Sequence, residues 1–312
     1  MRFILTHPMH SHPYNPDLVT GSGVAAVATA AERAGFTGFG FTDHPAPPQR
    51  WLDTGGHDAL DPFVAMGYAA AVTSTLRLIP NLVVLPYRNP FLVAKSGATL
   101  DALSGGRFTL AVGVGYLRGE FGALGIDFEQ RAGLVDEALE LIGRAWTQDD
   151  VTFAGKHFQA AGITAHPRPV KRPPIWVGGN TVAARRRVVE YADGWCPFAA
   201  ADALARYTKT AVMDAEAGLA AGLDDLRRRC DAAGRDFTAI DITFNGLPGT
   251  PGTSSFVADA YLGEVDRLSR LGVTAVTLSV PGDSVNHAVE AIEEFGASVI
   301  AAQSLTTVLE TS

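Results

Sequence analysis

The strongest constraint on this chain is a rhythm in which short apolar runs alternate with stretches of helical periodicity from one end to the other. RFILTH (2–7), GFGFTD (38–43), LRLIPNLVVL (76–85) and RFTLAVGVG (107–115) read as strands. PIWVGG (174–179), DGWCPF (193–198), AIDITFNG (239–246) and AVTLSVP (275–281) continue the series. Helical patterns at 23–34, 61–74, 90–103, 129–146, 181–191, 201–233, 257–271 and 285–302 separate them. Strands apolar on both faces belong in a parallel sheet covered by helices. This succession of βα units predicts an α/β fold, a closed (β/α)8 TIM barrel, with an open doubly wound sheet as the competing arrangement. The stretch 147–173 breaks the rhythm as a small β excursion with a Pro-rich return, an insertion within one domain spanning 1–312. GLPGTPGTSS (246–255) is flexible by composition and suited to a lid.

At 312 residues and 47% hydrophobic content the chain can bury one large core. No run approaches the roughly 18 uninterrupted apolar residues of a membrane span, and the opening MRFILTHPMH lacks the apolar core of a secretory signal. Cys196 and Cys230 alone form no disulfide framework. These features predict a cytoplasmic protein without a membrane partner. A net charge of -8 speaks against a nucleic-acid partner. Arg185–Arg187 and Arg227–Arg229 share their helices with acidic residues and read as solvated faces.

In such a barrel, chemistry gathers at the C-terminal strand ends. That places His7, the pair Asp43–His44, Asn81 to Arg88, Gly113 to Tyr116, Gly178 to Asn180 and Asn245 at one mouth. Asp43–His44 sets a carboxylate beside an imidazole, which titrates near 6.5 in its ordinary state. A neighbouring carboxylate favours the protonated ring, so His44 is a candidate proton donor with Asp43 as its partner. Gly178, Gly179 and Asn180 precede a helix from Thr181, where bare backbone and helix dipole suit a phosphate. A tight βα turn that needs glycine explains the same residues equally well. Gly113 and Gly115 form a G-x-G without the remainder of a dinucleotide fingerprint. His10 and His12 have the spacing of two metal ligands, but the fifth and sixth strands end without a histidine, so no metal is expected.

Several blocks in order carry a resemblance: FTDH (41–44), LPYRNPFLVAKSGATLDALSGGRFTLAVGVGY (85–116), RAGLVDEALELIGRAW (131–146), PRPVKRPPIWVGG (167–179) and DGW (193–195). Over nearly its whole length the chain resembles the luciferase-like monooxygenase superfamily, barrels that use flavin or the deazaflavin coenzyme F420. Asp-His at the end of the second strand is similar to the deazaflavin branch; light-emitting relatives tend to carry Glu-His-His there. The resemblance implies that His44 lies near the hydride-transfer carbon, with Asp43 at the polar edge of the ring. It implies a non-prolyl cis peptide at Asn81 behind the ring, Gly113, Gly115 and Tyr116 along the ring and ribityl chain, and Gly178, Gly179 and Asn180 about the phosphate. Tyr116 stands where sugar-phosphate dehydrogenases of the superfamily carry a Glu, and their cationic substrate anchors have no counterpart. A less polar, small organic substrate is the better expectation. The implied function is hydride transfer between reduced deazaflavin and that substrate. The alternative is an FMN-dependent monooxygenase served by a separate reductase, and a third reading is a flavin-binding barrel without catalysis. Relatives commonly pair through outer helices, which implies a homodimer.

Overall fold

The computed structural model describes residues 1–303. Strand β1 (Arg2–Thr6) leads to helix α1 (Gly21–Arg33), β2 (Gly38–Gly40), the single turn α2 (Gln49–Leu52) and α3 (Pro62–Val72). Two short strands follow, β3 (Arg77–Leu78) and β4 (Val83–Val84), then α4 (Pro90–Ser104), β5 (Leu110–Gly113), α5 (Arg118–Ala123) and α6 (Arg131–Thr147). A hairpin of β6 (Val151–Ala154) and β7 (Gln159–Ile163) precedes β8 (Ile175–Gly178), α7 (Val182–Tyr191) and β9 (Gly194–Cys196). Helices α8 (Asp202–Thr208) and α9 (Ala217–Ala232), strand β10 (Asp241–Phe244), α10 (Ala258–Leu271), β11 (Ala275–Leu278) and α11 (Val285–Phe295) complete the order.

Nine strands form one parallel sheet in the order β3-β2-β1-β11-β10-β9-β8-β5-β4. First and last strands are neighbours, with Arg2 opposite Ala275 and Leu5 opposite Leu278. At one end of the order β3 also meets the segment that leads into β5, next to the other end: Leu78 N–H donates to Arg107 O, and Thr109 N–H to Leu78 O, both at 3.0 Å. The sheet therefore curls round on itself. Alternation along each strand sorts side chains into two layers. Ile4, Ile79, Ala111, Trp176 and Ala275 fill the inside of the curl, with Leu82 and Cys196 against them. Leu5, Phe39, Leu78, Val112 and Val177 face the helices. Each such side chain, fully buried, is worth about 1.5–3 kcal/mol of transfer free energy.

Local chemistry fixes the helices that frame the mouth. Asp61 caps α3 by accepting the N–H groups of Phe63 and Val64, and Asn89 caps α4 by accepting that of Phe91; each precedes a proline at the first helical position. Gly105, at φ 70°, ends α4 in the left-handed conformation.

Three sequence expectations need correction. The run 76–85 forms two strands, β3 and β4, with a cis Asn81–Leu82 peptide between them. The helix expected at 201–233 is broken into α8 and α9, where Lys209 adopts φ 56°. The triplet at 185–187 is not a solvated face: Arg185 and Arg187 are buried, and only Arg186 is exposed. Arg185 donates to Asp225 of α9 at 2.6 Å and Arg187 to Asp136 of α6 at 2.6 Å, so neighbouring helices supply the counter-charges. The second triplet does lie along its own helix, pairing with Asp224 and Asp225. Among the described residues no helix is long and apolar enough to cross a membrane.

Phe295 ties the end of the chain to its beginning. Its ring meets those of Phe3, Tyr261 and Phe36 at centroid distances of 5.2, 5.3 and 5.5 Å. Phe295→Ala is expected to lose about 3–5 kcal/mol of stability in urea unfolding, the usual cost of truncating a buried aromatic ring. A loss below about 1 kcal/mol would show that the seam between β1 and the last helices does not depend on this cluster.

Candidate active site

Strands β2, β4, β5 and β8 to β11 deliver their C-terminal ends to a cavity of about 490 Å³. Of the residues the sequence singled out, Asp43, His44, Asn81, Gly113, Gly115, Tyr116, Gly178 and Gly179 line it. Asn180 does not. It is buried behind the wall, where its side chain donates to Phe198 O and Ala211 O and accepts the Phe198 N–H, holding the turn after β9.

His44 has a partner that the sequence reading missed. Its Nδ1 lies 3.0 Å from Glu120 Oε2 on α5, and the Glu120 side chain is fully buried. Tyr87 Oη donates to the same oxygen at 2.9 Å, and Ala46 N–H donates to Glu120 Oε1 at 3.2 Å. A carboxylate only accepts, so Nδ1 carries a proton and Nε2 is left as the variable position of the ring. Trp51, His57 and Tyr116 surround the imidazole at centroid distances of 4.6, 4.9 and 6.0 Å. Burial pushes His57 down and Tyr116 and Tyr87 up, so all three are neutral near pH 7.

Asp43 is adjacent to His44 in sequence yet is not its partner. Its carboxylate binds the Arg88 guanidinium through both oxygens, one contact at 3.0 Å, and accepts Val84 N–H at 2.8 Å. Arg88 also reaches Asp61 at 2.9 Å. Consecutive residues in extended chain point to opposite sides, which separates the two side chains. Burial pushes the Asp43 carboxyl up while Arg88 pulls it down, and the permanently charged guanidinium keeps the pair ionic at neutral pH.

The glycines divide by cause. A Cβ at Gly178 would fall 2.1 Å from Leu82 Cδ1, so that position is glycine to admit a leucine into the cavity floor. At Gly179, φ is 107° and a Cβ would meet only Ala184 at 3.7 Å, so bare backbone borders open space. Helix α7 starts beside it, capped by Thr181, whose side chain accepts Ala184 N–H. Thr181, Arg187 and Lys209 line this end of the cavity. A helix N-terminus with bare backbone and the Lys209 ammonium at the same cavity is suited to an anion, while the Arg187 charge is already met by Asp136. Leu82, Gly113 and Val114 give the cavity an apolar floor. A planar ring with a phosphate-bearing tail fits these residues.

His7, expected at the mouth, is buried: it hydrogen-bonds Leu18 O through Nε2 at 3.0 Å, and loss of water pushes its pKa down to about 4. His12 pairs with Asp58 at 2.8 Å. The signal for Glu120 was present in the run AVGVGYLRGEF (111–121), a carboxylate in the first turn of the helix after the fourth predicted strand. It carried no neighbour in sequence to mark it.

A family model described as luciferase-like monooxygenase matches residues 1–248. An uncharacterised protein of Mycobacterium tuberculosis is 30% identical over 292 residues, covering 88% of this chain and 93% of the relative. An F420-dependent glucose-6-phosphate dehydrogenase of Nakamurella multipartita is 32% identical over 177 residues, 56% of this chain and 51% of its own. An FMNH(2)-dependent dimethylsulfone monooxygenase of Pseudomonas fluorescens is 31% identical over 171 residues, 54% and 45% of the two chains. Among solved structures, a monooxygenase from Streptomyces bottropensis superposes with a TM-score of 0.80 at 19% identity, covering 97% of this chain and 100% of that one. An F420-dependent secondary alcohol dehydrogenase superposes with a TM-score of 0.74 at 18% identity, covering 96% and 99%.

Arg88→Met is expected to cost about 3–5 kcal/mol in urea unfolding at pH 8, because it strands a buried carboxylate. A carboxyl group whose folded pKa is raised stabilises the fold at low pH and loses that contribution as pH rises through the folded value. Removing Arg88 raises Asp43 further, so the deficit against the parent should narrow as pH falls. A deficit that does not change between pH 8 and pH 5 would show that Asp43 is not the stranded charge.

Proposed function

Because the chain belongs to the luciferase-like monooxygenase family, we propose that it is an oxidoreductase that uses the deazaflavin coenzyme F420 to reduce or oxidise a small organic substrate. The observation that carries this reading is the cavity itself: His44, held by a buried carboxylate at one end, and the α7 N-terminus with Lys209 at the other. The likeness to an F420-dependent dehydrogenase agrees with it. When bound, the deazaflavin supplies a hydride and is itself oxidised. The chain's own residues do the rest. Leu82, Gly113 and Val114 support a planar ring and keep water from one face, and Gly179 with Thr181 receives the phosphate. Addition of a hydride to the substrate must be balanced by one proton. The Glu120 contact at Nδ1 leaves Nε2 of His44 to deliver it, and to take it back in the reverse direction.

A second reading, FMN-dependent oxygenation with flavin reduced by a separate reductase, is favoured by the likeness to the dimethylsulfone monooxygenase. We read the curled sheet as an eight-unit TIM barrel in a single domain, with β3 and β4 as halves of one strand and the β6–β7 hairpin as an insertion. We place the protein in the cytoplasm, with no membrane or nucleic-acid partner. We further read it as a homodimer, since α3 and α4 turn Val64, Tyr68, Leu92 and Leu103 to solvent.

Fluorescence titration of purified protein should give tighter binding of oxidised coenzyme F420 than of FMN, and the reverse order would favour the oxygenase. With a reducible substrate in hand, His44→Ala is expected to lower turnover by roughly 10²-fold or more. Cofactor affinity should change far less, and near-normal turnover would remove His44 from the chemistry. Light scattering at micromolar concentration should report twice the 32.9 kDa chain mass; a single species at the chain mass would overturn the dimer.

A further inference from the structure

Beside the cavity lies a second hollow of about 300 Å³, which shares Thr42, Asn81, Asn245 and Thr277 with the first. The rest of its wall comes from segments that the cofactor reading leaves unused: His10 after β1, Thr250 in the loop after β10, and Ser279 after β11. Its chemistry differs from that of its neighbour. Arg187 and Lys209 line the first cavity, whereas among the described residues no Lys, Arg, Asp or Glu lines the second. What the second offers is hydroxyl groups and amides. Asn81 donates through Nδ2 to Thr6 Oγ1 at 2.9 Å and keeps Oδ1; Asn245 accepts Ala199 N–H through Oδ1 at 3.1 Å and keeps Nδ2. The His10 ring is open to solvent, but surrounding protein, with His57 and His7 nearby, holds its pKa below the ordinary range, so it adds no charge near pH 7.

We propose that this hollow is the substrate subsite, and that it selects an uncharged organic molecule bearing a hydrogen-bonding oxygen or nitrogen over an anion of the same shape. The proposal rests on the oxidoreductase reading for the word substrate; the binding preference stands on the lining alone. A carboxylate or phosphate entering the hollow would give up water and find no cation, whereas an amide, ketone or alcohol would exchange its water for the hydroxyl and amide groups of the wall. The volume is at the lower end of the range for small-molecule pockets, so a single ring with one polar substituent is an appropriate probe.

Ligand-observed NMR titration of the full chain with cyclohexanecarboxamide and cyclohexanecarboxylate at pH 7.5 tests this. The amide should bind about tenfold or more tightly than the carboxylate, and His10→Lys, which places a cation at the rim, should narrow or reverse that order. Ser279→Phe should abolish amide binding while leaving the deazaflavin titration unchanged. Thr250→Trp serves the same purpose should Ser279→Phe melt below the parent. Equal binding of the two probes, no binding of the amide, or amide binding that survives a folded blocking variant would each overturn the proposal. If the amide binds in the Ser279-dependent way but neither cofactor does, the oxidoreductase reading fails and the subsite stands; if cofactor binds and the amide does not, the subsite alone fails.

Discussion

Glu120 has no exposed surface, and three donors from two separate stretches of chain end on it: the imidazole of His44 and the amide of Ala46 from the segment after β2, and the phenol of Tyr87 from the turn after β4. An ionised carboxylate in such a place is tolerated only because its lone pairs are met. The consequence reaches beyond the residue. The end of β2, the turn after β4 and helix α5 are held to one point, and the orientation of the imidazole is set by a group that does not itself line the cavity. A histidine on a loop beginning Pro45-Ala46-Pro47-Pro48 would otherwise be free to turn; Glu120 removes that freedom and defines which nitrogen meets a ligand.

The opposite end of the cavity is organised by helices instead of a single tie. Arg185 and Arg187 are buried in the layer between α6, α7 and α9, each answered by an aspartate from a neighbouring helix. Buried pairs of this sort contribute little net stability, but they fix where α7 begins. Its first turn, Gly179 and the Arg187 side chain consequently share one wall. Electrostatic asymmetry follows from the architecture: one end of the mouth is cationic, the middle is apolar, and the hollow beyond Asn81 is polar and uncharged.

Much of this was legible in the sequence because it is periodic or local. The alternation of apolar runs and helical stretches implied a parallel sheet under helices. The strand-end rule brought Asp43, His44, Asn81, Gly113 and Gly179 to one mouth. What escaped was set by distance along the chain. Asp43 and His44 are sequence neighbours, so pairing them was the natural reading, yet their side chains leave the backbone on different sides and find Arg88 and Glu120 instead. The arginine triplet looked solvated because its counter-charges, Asp136 and Asp225, lie on other helices. Asn180, beside two glycines, looked like a ligand contact and serves as a bracket for the next turn.

The leucine in the cavity floor has a consequence for how this site can change. With Gly178 occupying the only space that a methyl group would need beside Leu82 Cδ1, and Gly113 meeting the same methyl at 3.3 Å from its hypothetical Cβ, positions 82, 113 and 178 form one steric unit drawn from three strand ends. A larger residue at 178 requires the Leu82 side chain to turn away or shrink, so the effects of exchanges at 82 and 178 are coupled. Altering the shape of the floor, by drift or by design, therefore proceeds most readily through paired exchanges, in which position 82 gives way to a side chain at 113 or 178.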